Sequence, residues 1–169
     1  LYDFPGDLAR AFVKHGWVYH SKVTIWKDPV VEMTRTNALG LLYKQLRKDS
    51  SRSRVGMPDY LLLFRNGDGP AVEPVDHSYD EFPVEQWQQW ASPVWMDIQQ
   101  TDVLNTRLAK SDKDGKHVCP LQLDLIERAI RLWSNPNDLI LSPFGGIGSE
   151  GVGAMRAGRR YVGIELKPE

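Results

Sequence analysis

A glycine-rich turn and an acidic residue after it are the strongest candidates for chemistry in this chain. Gly146, Gly148 and Gly151 lie between two short apolar segments, and Glu165 follows the second segment, 17 positions after Gly148. Glycine lets the backbone approach a ligand closely, because it has no side chain in the way. Amides at a helix start attract polar groups, and a carboxylate accepts hydrogen bonds from ribose hydroxyls. The spacing predicts a nucleoside-binding site; glycines that serve only tight helix–strand packing are the alternative.

The elements that must position this site can be inferred from the flanking residues. The apolar run 139–141 predicts a buried strand, and residues 161–164 predict a second strand. A short helix is expected between them up to about Ala157, ended by Gly158 where a left-handed residue is favoured. Strand, glycine turn, helix, strand and acid form the βαβ nucleoside-binding unit.

The N-terminal part of the chain predicts one helix and several extended segments. Residues 5–15 are expected to be helical, and residues 17–19 and 22–26 extended. Residues 32–54 are polar and basic, which favours a helix followed by a mobile loop. Residues 59–65 form a continuous apolar run, which is typical of a strand covered on both faces.

The second half of the chain alternates irregular segments with the best helix. Residues 71–92 carry prolines and scattered acids, which indicates irregular surface chain, and residues 93–104 are helix-like or a turn. Residues 120–134 predict a helix with Pro120 at its first position. Its expected buried stripe consists of Gln122, Ile126, Ala129 and Trp133. Strands separated by helices indicate a mainly parallel, three-layer α/β sheet.

Composition places the chain among soluble globular proteins of one domain. It has 169 residues, 41% of them hydrophobic and 25% charged, and a formal net charge of −1. The single cysteine excludes an intrachain disulfide and fits a reducing cytoplasm. Neither a signal peptide nor an apolar run of membrane-spanning length is indicated. The spacing of histidines and cysteine predicts no metal site.

Positive charge is concentrated in one short segment. Between residues 44 and 54 there are five basic residues and one acid, whereas residues 66–102 hold eight acids and no Lys or Arg. Cations interleaved with serines suit contacts to nucleic-acid phosphates, although a solvated helix face is the alternative. The candidate DNA-binding residues are Lys44, Arg47, Lys48, Arg52 and Arg54.

Several segments together resemble one enzyme family. Residues 142–149 (Ser-Pro-Phe-Gly-Gly-Ile-Gly-Ser) resemble the Asp-Pro-Phe-x-Gly-Ser-Gly cofactor loop of amino-group DNA methyltransferases, the N6-adenine and N4-cytosine type. Residues 116–128 resemble the segment that precedes this loop, and residues 159–167 the strand whose acid holds the ribose. Residues 26–28 and 58–65 are similar to later strands of the catalytic half, most closely those of phage and prophage enzymes.

The resemblance covers nearly the whole chain and implies fold, cofactor and partner. It implies an α/β, Rossmann-like, three-layer S-adenosylmethionine-dependent methyltransferase fold, incomplete at the N-terminus. S-adenosyl-L-methionine is the implied cofactor, and double-stranded DNA in a bacterial or phage-infected cell the implied partner. The implied cofactor-binding residues are Cys119, Pro120, Ser142, Pro143, Phe144, Gly145, Gly146, Gly148, Ser149 and Glu165.

Two departures from the family pattern shape the expected organisation. Ser142 replaces the usual aspartate, and no Pro-Pro pair occurs, so the family's Pro-Pro-aromatic catalytic loop is absent from these residues. In the permuted (β) group that loop precedes the cofactor loop, which places it before Leu1. We therefore expect a C-terminal methyltransferase fragment and name no catalytic residue. The expected parts of this single partial domain are a catalytic half (1–65), a connecting region (66–116) and a cofactor-binding half (117–169).

Three functions remain open on the sequence. The first is site-specific DNA methylation at adenine N6 or cytosine N4. The second is a dinucleotide-dependent oxidoreductase, because the glycines and Glu165 also satisfy that fingerprint. The third is a non-catalytic DNA-binding fragment.

Overall fold

A computed structural model describes residues 2–67, 73–104 and 120–166. The chain forms two compact units, Leu1–Val72 with Gln88–Asp97 and Glu73–Trp87 with Ile98–Glu169. No helix in the described part of the chain has the length and hydrophobicity needed to span a bilayer. The elements are α1 (Phe4–Lys14), β1 (Trp17–Ile25), α2 (Pro29–Thr36), α3 (Tyr43–Lys48), β2 (Asp59–Asn66), α4 (Val84–Trp90), β3 (Val94–Trp95), α5 (Leu123–Trp133), β4 (Leu139–Ser142), α6 (Ser149–Arg156) and β5 (Arg160–Gly163).

The first unit contains a three-stranded sheet in the order β2-β1-β3. β1 pairs antiparallel with β2 from Trp17 opposite Asn66 to Ile25 opposite Asp59, with an irregularity between Tyr19 and Ser21. β1 pairs parallel with the short β3. The two predicted extended segments are thus one strand, and the expectation of a mainly parallel sheet is wrong for the β1–β2 pair.

Two further expectations, for residues 59–65 and for residues 71–92, are wrong. The strand at 59–65 was expected to be covered on both faces, but Tyr60 is exposed and residues 61–64 are only half-buried. β2 lies at the edge of its sheet, and α1 contacts it through Phe12, whose ring stacks on Phe64 at 4.7 Å. Within the segment predicted to be irregular, α4 forms, and its first hydrogen bond runs from the Trp87 amide to Pro83 O at 3.0 Å.

The segment between β1 and β2 is more regular than predicted. α2 begins at Pro29 because the Asp28 carboxylate caps it, accepting from the amides of Val30 at 2.7 Å and Val31 at 3.1 Å. It ends at Asn37, which adopts a left-handed conformation (φ 52°). Instead of an irregular loop, the next residues form α3 and two single helical turns, Leu39–Leu41 and Ser50–Arg52.

A partly buried ion cluster joins the ends of β1 and β2. Lys27 Nζ lies 2.7 Å from Asp59 Oδ2 and 3.6 Å from Glu32 Oε1. The guanidinium of Arg35 contacts the other carboxylate oxygen of Glu32 at 2.9 Å. Glu32 is buried, so its charge depends on these two cations.

Acid is expected to remove the contribution of Glu32 to stability. The hydrogen bond from Arg35, together with the charge of Lys27, lowers the pKa of Glu32 below its ordinary value of 4.5. The stabilisation is therefore complete above about pH 4.5 and is lost as pH falls through the lowered folded-state pKa. Thermal melts should show Glu32→Gln less stable than wild type at pH 7, with the difference shrinking below about pH 4. A difference that grows on acidification would contradict this assignment.

The second unit contains the predicted β-helix-β arrangement. β4 and β5 are parallel, from Leu139 opposite Arg160 to Ser142 opposite Gly163, as predicted. α5 and α6 cover one face of this pair. Their core consists of Ile126, Ile130 and Ala154, with Leu123, Ile140, Ala157 and Tyr161 packed around it.

Two burial predictions for this unit are wrong. In β4, Ile140 faces the helices, but Leu139 and Leu141 are exposed, because alternate strand residues point to the uncovered face. In α5, Ile126 is buried as predicted, but Gln122 and Ala129 of the predicted stripe are only half-buried and Trp133 is exposed. The other buried residues of the helix are Leu125, Arg128 and Ile130. The helix also begins at Leu123 rather than Pro120, since the Leu123 amide bonds to Asp102 O at 2.9 Å.

Candidate functional site

The glycine turn and Glu165 lie at the same edge of the β4–β5 pair. Because the strands are parallel and Ser142 is opposite Gly163, the residues that follow both strands emerge side by side. The Ile164 amide donates to Ser142 O at 2.9 Å, and the Gly145 amide donates to Ile164 O at 2.7 Å. The backbone thus ties the turn to the segment that carries Glu165.

Glu165 is directed at the turn. Its Oε2 accepts a hydrogen bond of 2.7 Å from the Gly146 amide, and its Oε1 accepts from the Leu166 amide at 2.9 Å. The residue remains exposed. A carboxylate in this position can accept further hydrogen bonds from a ligand, since each oxygen has two lone-pair sites.

The turn requires glycine at two positions. Gly146 and Gly148 have φ values of +50° and +83°, a left-handed region that other residues rarely adopt. Gly148 is also the N-cap of α6 and offers no side-chain oxygen to the first-turn amides. Those amides lack helical partners and are positioned to receive a polar ligand group.

The other predicted cofactor-binding residues occupy different environments around the turn. Phe144 is 84% exposed, Pro143 is exposed, and Gly145 is buried. Ser142 is buried at the end of β4, and Ser149 is 3% exposed in the first turn of α6. Pro120 is half-buried before α5, whereas Cys119 lies outside the described residues. The turn is therefore exposed to solvent at Phe144, whereas the residues beneath it, Ser142 and Ser149, are buried.

Tyr161 is a residue of this site that sequence reasoning missed. A Cβ at Gly151 would lie 2.8 Å from Tyr161 Cε1, and a Cβ at Gly163 would lie 2.6 Å from its hydroxyl. Within the described residues, the buried hydroxyls of Tyr161 and Ser149 have no hydrogen-bond partner. The ring supports the turn from below, and no local sequence pattern marks it, because Gly145 and Gly151 approach the ring only in the folded chain.

A separate cleft lies between α5 and α6. It measures about 460 Å³ and contains Asp124 and Arg131 together with Asp102. Burial raises the pKa of Asp124, and the neighbouring charge of Asp102 raises it further. None of the predicted site residues lines this cleft. No group of three or more potential metal ligands occurs in the described ranges.

The predicted DNA-binding residues all lie in the first unit. All five are exposed, and none forms an ion pair with another described residue. Arg54 belongs to a backbone contact, since its amide donates to Gly40 O at 3.0 Å. The charges are available to an external anion.

Sequence comparison identifies related proteins. The N6/N4 methyltransferase family model, described as DNA methylase, matches residues 7–169. The type II methyltransferase M1.MboII of Moraxella bovis is 45% identical over 53 residues, which are 31% of this chain and 20% of that protein. The type II methyltransferase M2.LlaDCHI of Lactococcus lactis subsp. cremoris is 38% identical over 73 residues, 42% of this chain and 27% of that protein. The aligned part is thus a minor part of each relative.

Solved structures share the fold. TTHA0409 of Thermus thermophilus, crystallised with S-adenosyl-L-methionine, superposes with a TM-score of 0.66 at 21% identity, covering 99% of this chain and 55% of that one. The cytosine-N4-specific PvuII DNA methyltransferase gives a TM-score of 0.58 at 18% identity, covering 96% and 51%. The predicted Rossmann-like α/β fold is confirmed, and the chain spans about half of each structure. With its family match across residues 7–169, the chain belongs to the DNA methylase family of N6/N4 methyltransferases.

Proposed function

We propose that the full-length protein is a site-specific DNA methyltransferase that uses S-adenosyl-L-methionine to methylate an exocyclic amino group, adenine N6 or cytosine N4. The observation that carries the proposal is the 2.7 Å contact between Glu165 and the Gly146 amide, in a chain of the DNA methylase family. It combines a carboxylate and an open glycine turn at one sheet edge. Because the chain spans about half of the matched structures, the activity is that of the whole protein.

The residues around the turn fit an adenosine sulfonium ligand. The Glu165 carboxylate would accept hydrogen bonds from ribose hydroxyls, and the uncapped first turn of α6 would receive a polar group. The buried Ser149 hydroxyl, unpartnered among the described residues, offers a further polar contact. The remaining proposed contacts are Cys119, Pro120, Ser142, Pro143, Phe144, Gly145, Gly146 and Gly148. When bound, the cofactor supplies the methyl group of its sulfonium.

The subgroup of the enzyme and the position of its catalytic loop are also proposals. We place the protein in the permuted β group, with the Pro-Pro-aromatic catalytic loop upstream of Leu1, in an enzyme of restriction-modification or phage type that acts in the bacterial cytoplasm. The resemblance of residues 26–28 and 58–65 to phage enzymes supports it. The target base must leave the duplex for such chemistry, at a cost of a few kcal/mol.

Ligand titration of the full-length protein tests the proposal against its rivals. We expect calorimetric binding of S-adenosylhomocysteine, no binding of NAD, and transfer of a tritiated methyl group to duplex DNA. NAD binding without S-adenosylhomocysteine binding would instead favour the oxidoreductase. Cofactor binding without methyl transfer to any DNA would favour the non-catalytic alternative.

The salt dependence of DNA binding is expected to report on the basic segment. If Lys44 neutralises one phosphate, Lys44→Ala should reduce the slope of log affinity against log salt by roughly 0.9. Fluorescence anisotropy with one labelled duplex at several salt concentrations measures the slope. Arg156→Ala, which removes an exposed cation from α6, is the control and should leave it unchanged. Equal slopes for Lys44→Ala and wild type would remove Lys44 from the phosphate contacts.

A further inference from the structure

The segment between β1 and β2, residues 29–58, leaves the sheet after β1 and returns to it at β2. We call this segment the excursion. The ion pair of Lys27 with Asp59, at 2.7 Å, joins the chain just before and just after it. A Cβ at Gly56 would be in ordinary contact with Pro29 Cβ, at 3.7 Å. These contacts therefore hold the two ends of the excursion close together.

The excursion is also held together internally. The Arg54 amide bonds to Gly40 O at 3.0 Å, which brings the end of the segment back to its middle. Asp49 accepts hydrogen bonds from the amide and hydroxyl of Ser51, and Gln45 Nε2 donates to Asp49 O. These contacts give the excursion a defined surface.

That surface combines exposed apolar side chains with excess positive charge. Tyr43 is 72% exposed, Leu39 is 71% exposed, and Leu46 is exposed one turn along α3 from Tyr43. Residues 29–58 contain six Lys and Arg but only two acids, Glu32 and Asp49. Exposed apolar groups rimmed by charge mark interaction sites. The excess positive charge selects a polyanion as the occupant.

We propose that the excursion reads the sequence of the target duplex, with Tyr43 contacting bases while Lys44 and Arg47 hold phosphates. This inference depends on the proposed function, which supplies duplex DNA as substrate. The division of labour is physical: phosphate contacts position a protein without reading sequence, and apolar or aromatic contacts to bases discriminate. Tyr43 lies directly beside Lys44 and one helical turn from Arg47, so both kinds of contact arise from one short helix.

Sequence discrimination by the full-length protein tests this role. A duplex library with a randomised core is methylated with S-adenosylmethionine, and methylated sequences are counted against the remainder. Tyr43→Ala should reduce the preference for the best sequence by roughly tenfold, since discrimination at one base pair contributes on that scale. Its salt slope should stay at the wild-type value, whereas Lys44→Ala should alter the slope and keep the preference.

Matched variants separate the possible outcomes. Tyr79→Ala removes an exposed tyrosine outside the excursion and should leave the preference unchanged. Tyr43→Phe, which keeps the ring, should retain most of the preference. An unchanged preference for Tyr43→Ala overturns the proposal. If the melting temperature is lowered at the same time, Tyr43 instead packs against the rest of the protein.

Failure of the proposed function would be visible in wild type. If wild type methylates no library member, the methyltransferase proposal fails, and selection of bound duplexes from the same library tests Tyr43 alone. Loss of sequence enrichment in Tyr43→Ala would then still support the reading role, and equal enrichment would refute it.

Discussion

Glu165→Ala is expected to weaken the binding of S-adenosylhomocysteine by roughly a hundredfold or more. A hydrogen bond to a charged group contributes about 1.5–3 kcal/mol, and the proposed ribose contact uses two of them. Two such bonds correspond to at least about 3 kcal/mol, and about 1.4 kcal/mol is a factor of ten in affinity. The variant also removes the acceptor of the Gly146 amide, so the turn loses its 2.7 Å tie to the end of β5.

Isothermal titration calorimetry of the full-length protein measures this loss. Glu165→Gln should fall between wild type and Glu165→Ala, because it keeps one of the two acceptor oxygens and loses the negative charge. Glu85→Ala removes an exposed acid from α4 and should bind as wild type. Wild-type affinity in Glu165→Ala would remove this carboxylate from the cofactor site.

The arrangement around Glu165 could be predicted because it depends on local rules. A strand, a glycine turn, a helix and a second strand produce a parallel pair, and the carboxyl ends of parallel strands share one edge. The left-handed conformations of Gly146 and Gly148 follow from the same turn. The contact of Glu165 with Gly146 is therefore a consequence of sequence order.

Burial and strand pairing depended on neighbours that local patterns do not specify. Leu139 and Leu141 have the apolar character of a buried strand, but only Ile140 lies on the face that α5 and α6 cover. The apolar run of β2 was equally compatible with a parallel strand, but β2 pairs antiparallel with β1. It lies at an edge because β1 is its only partner in the described sheet. Tyr161 was missed because its role depends on three glycines that approach its ring only in the folded chain.

The packing of α5 against α6 predicts that Gly153→Ala destabilises the protein even though alanine favours helix. Replacing a glycine within a helix by alanine should gain about 1 kcal/mol in propensity. At Gly153, however, the added Cβ would overlap Ile126 Cγ2, while Ile130 Cδ1 at 3.6 Å would be in ordinary contact. Overpacking of a core costs about 1–3 kcal/mol. The adjacent residue Ala154 is fully buried, so the packing around α6 opposes a shift that would relieve the overlap. The steric term should win, with a net loss of up to about 2 kcal/mol.

Thermal and urea unfolding measure this balance. Ile126→Leu moves the branch from Cβ to Cγ and removes the overlapping methyl group, so the double variant Gly153→Ala/Ile126→Leu should recover part of the loss. Gly56→Ala is the control, because its Cβ would have its nearest neighbour at 3.7 Å and should be neutral or slightly stabilising. If Gly153→Ala instead raised the melting temperature, helix propensity would outweigh packing. The close approach of α6 to α5 would then not be the reason for glycine at this position.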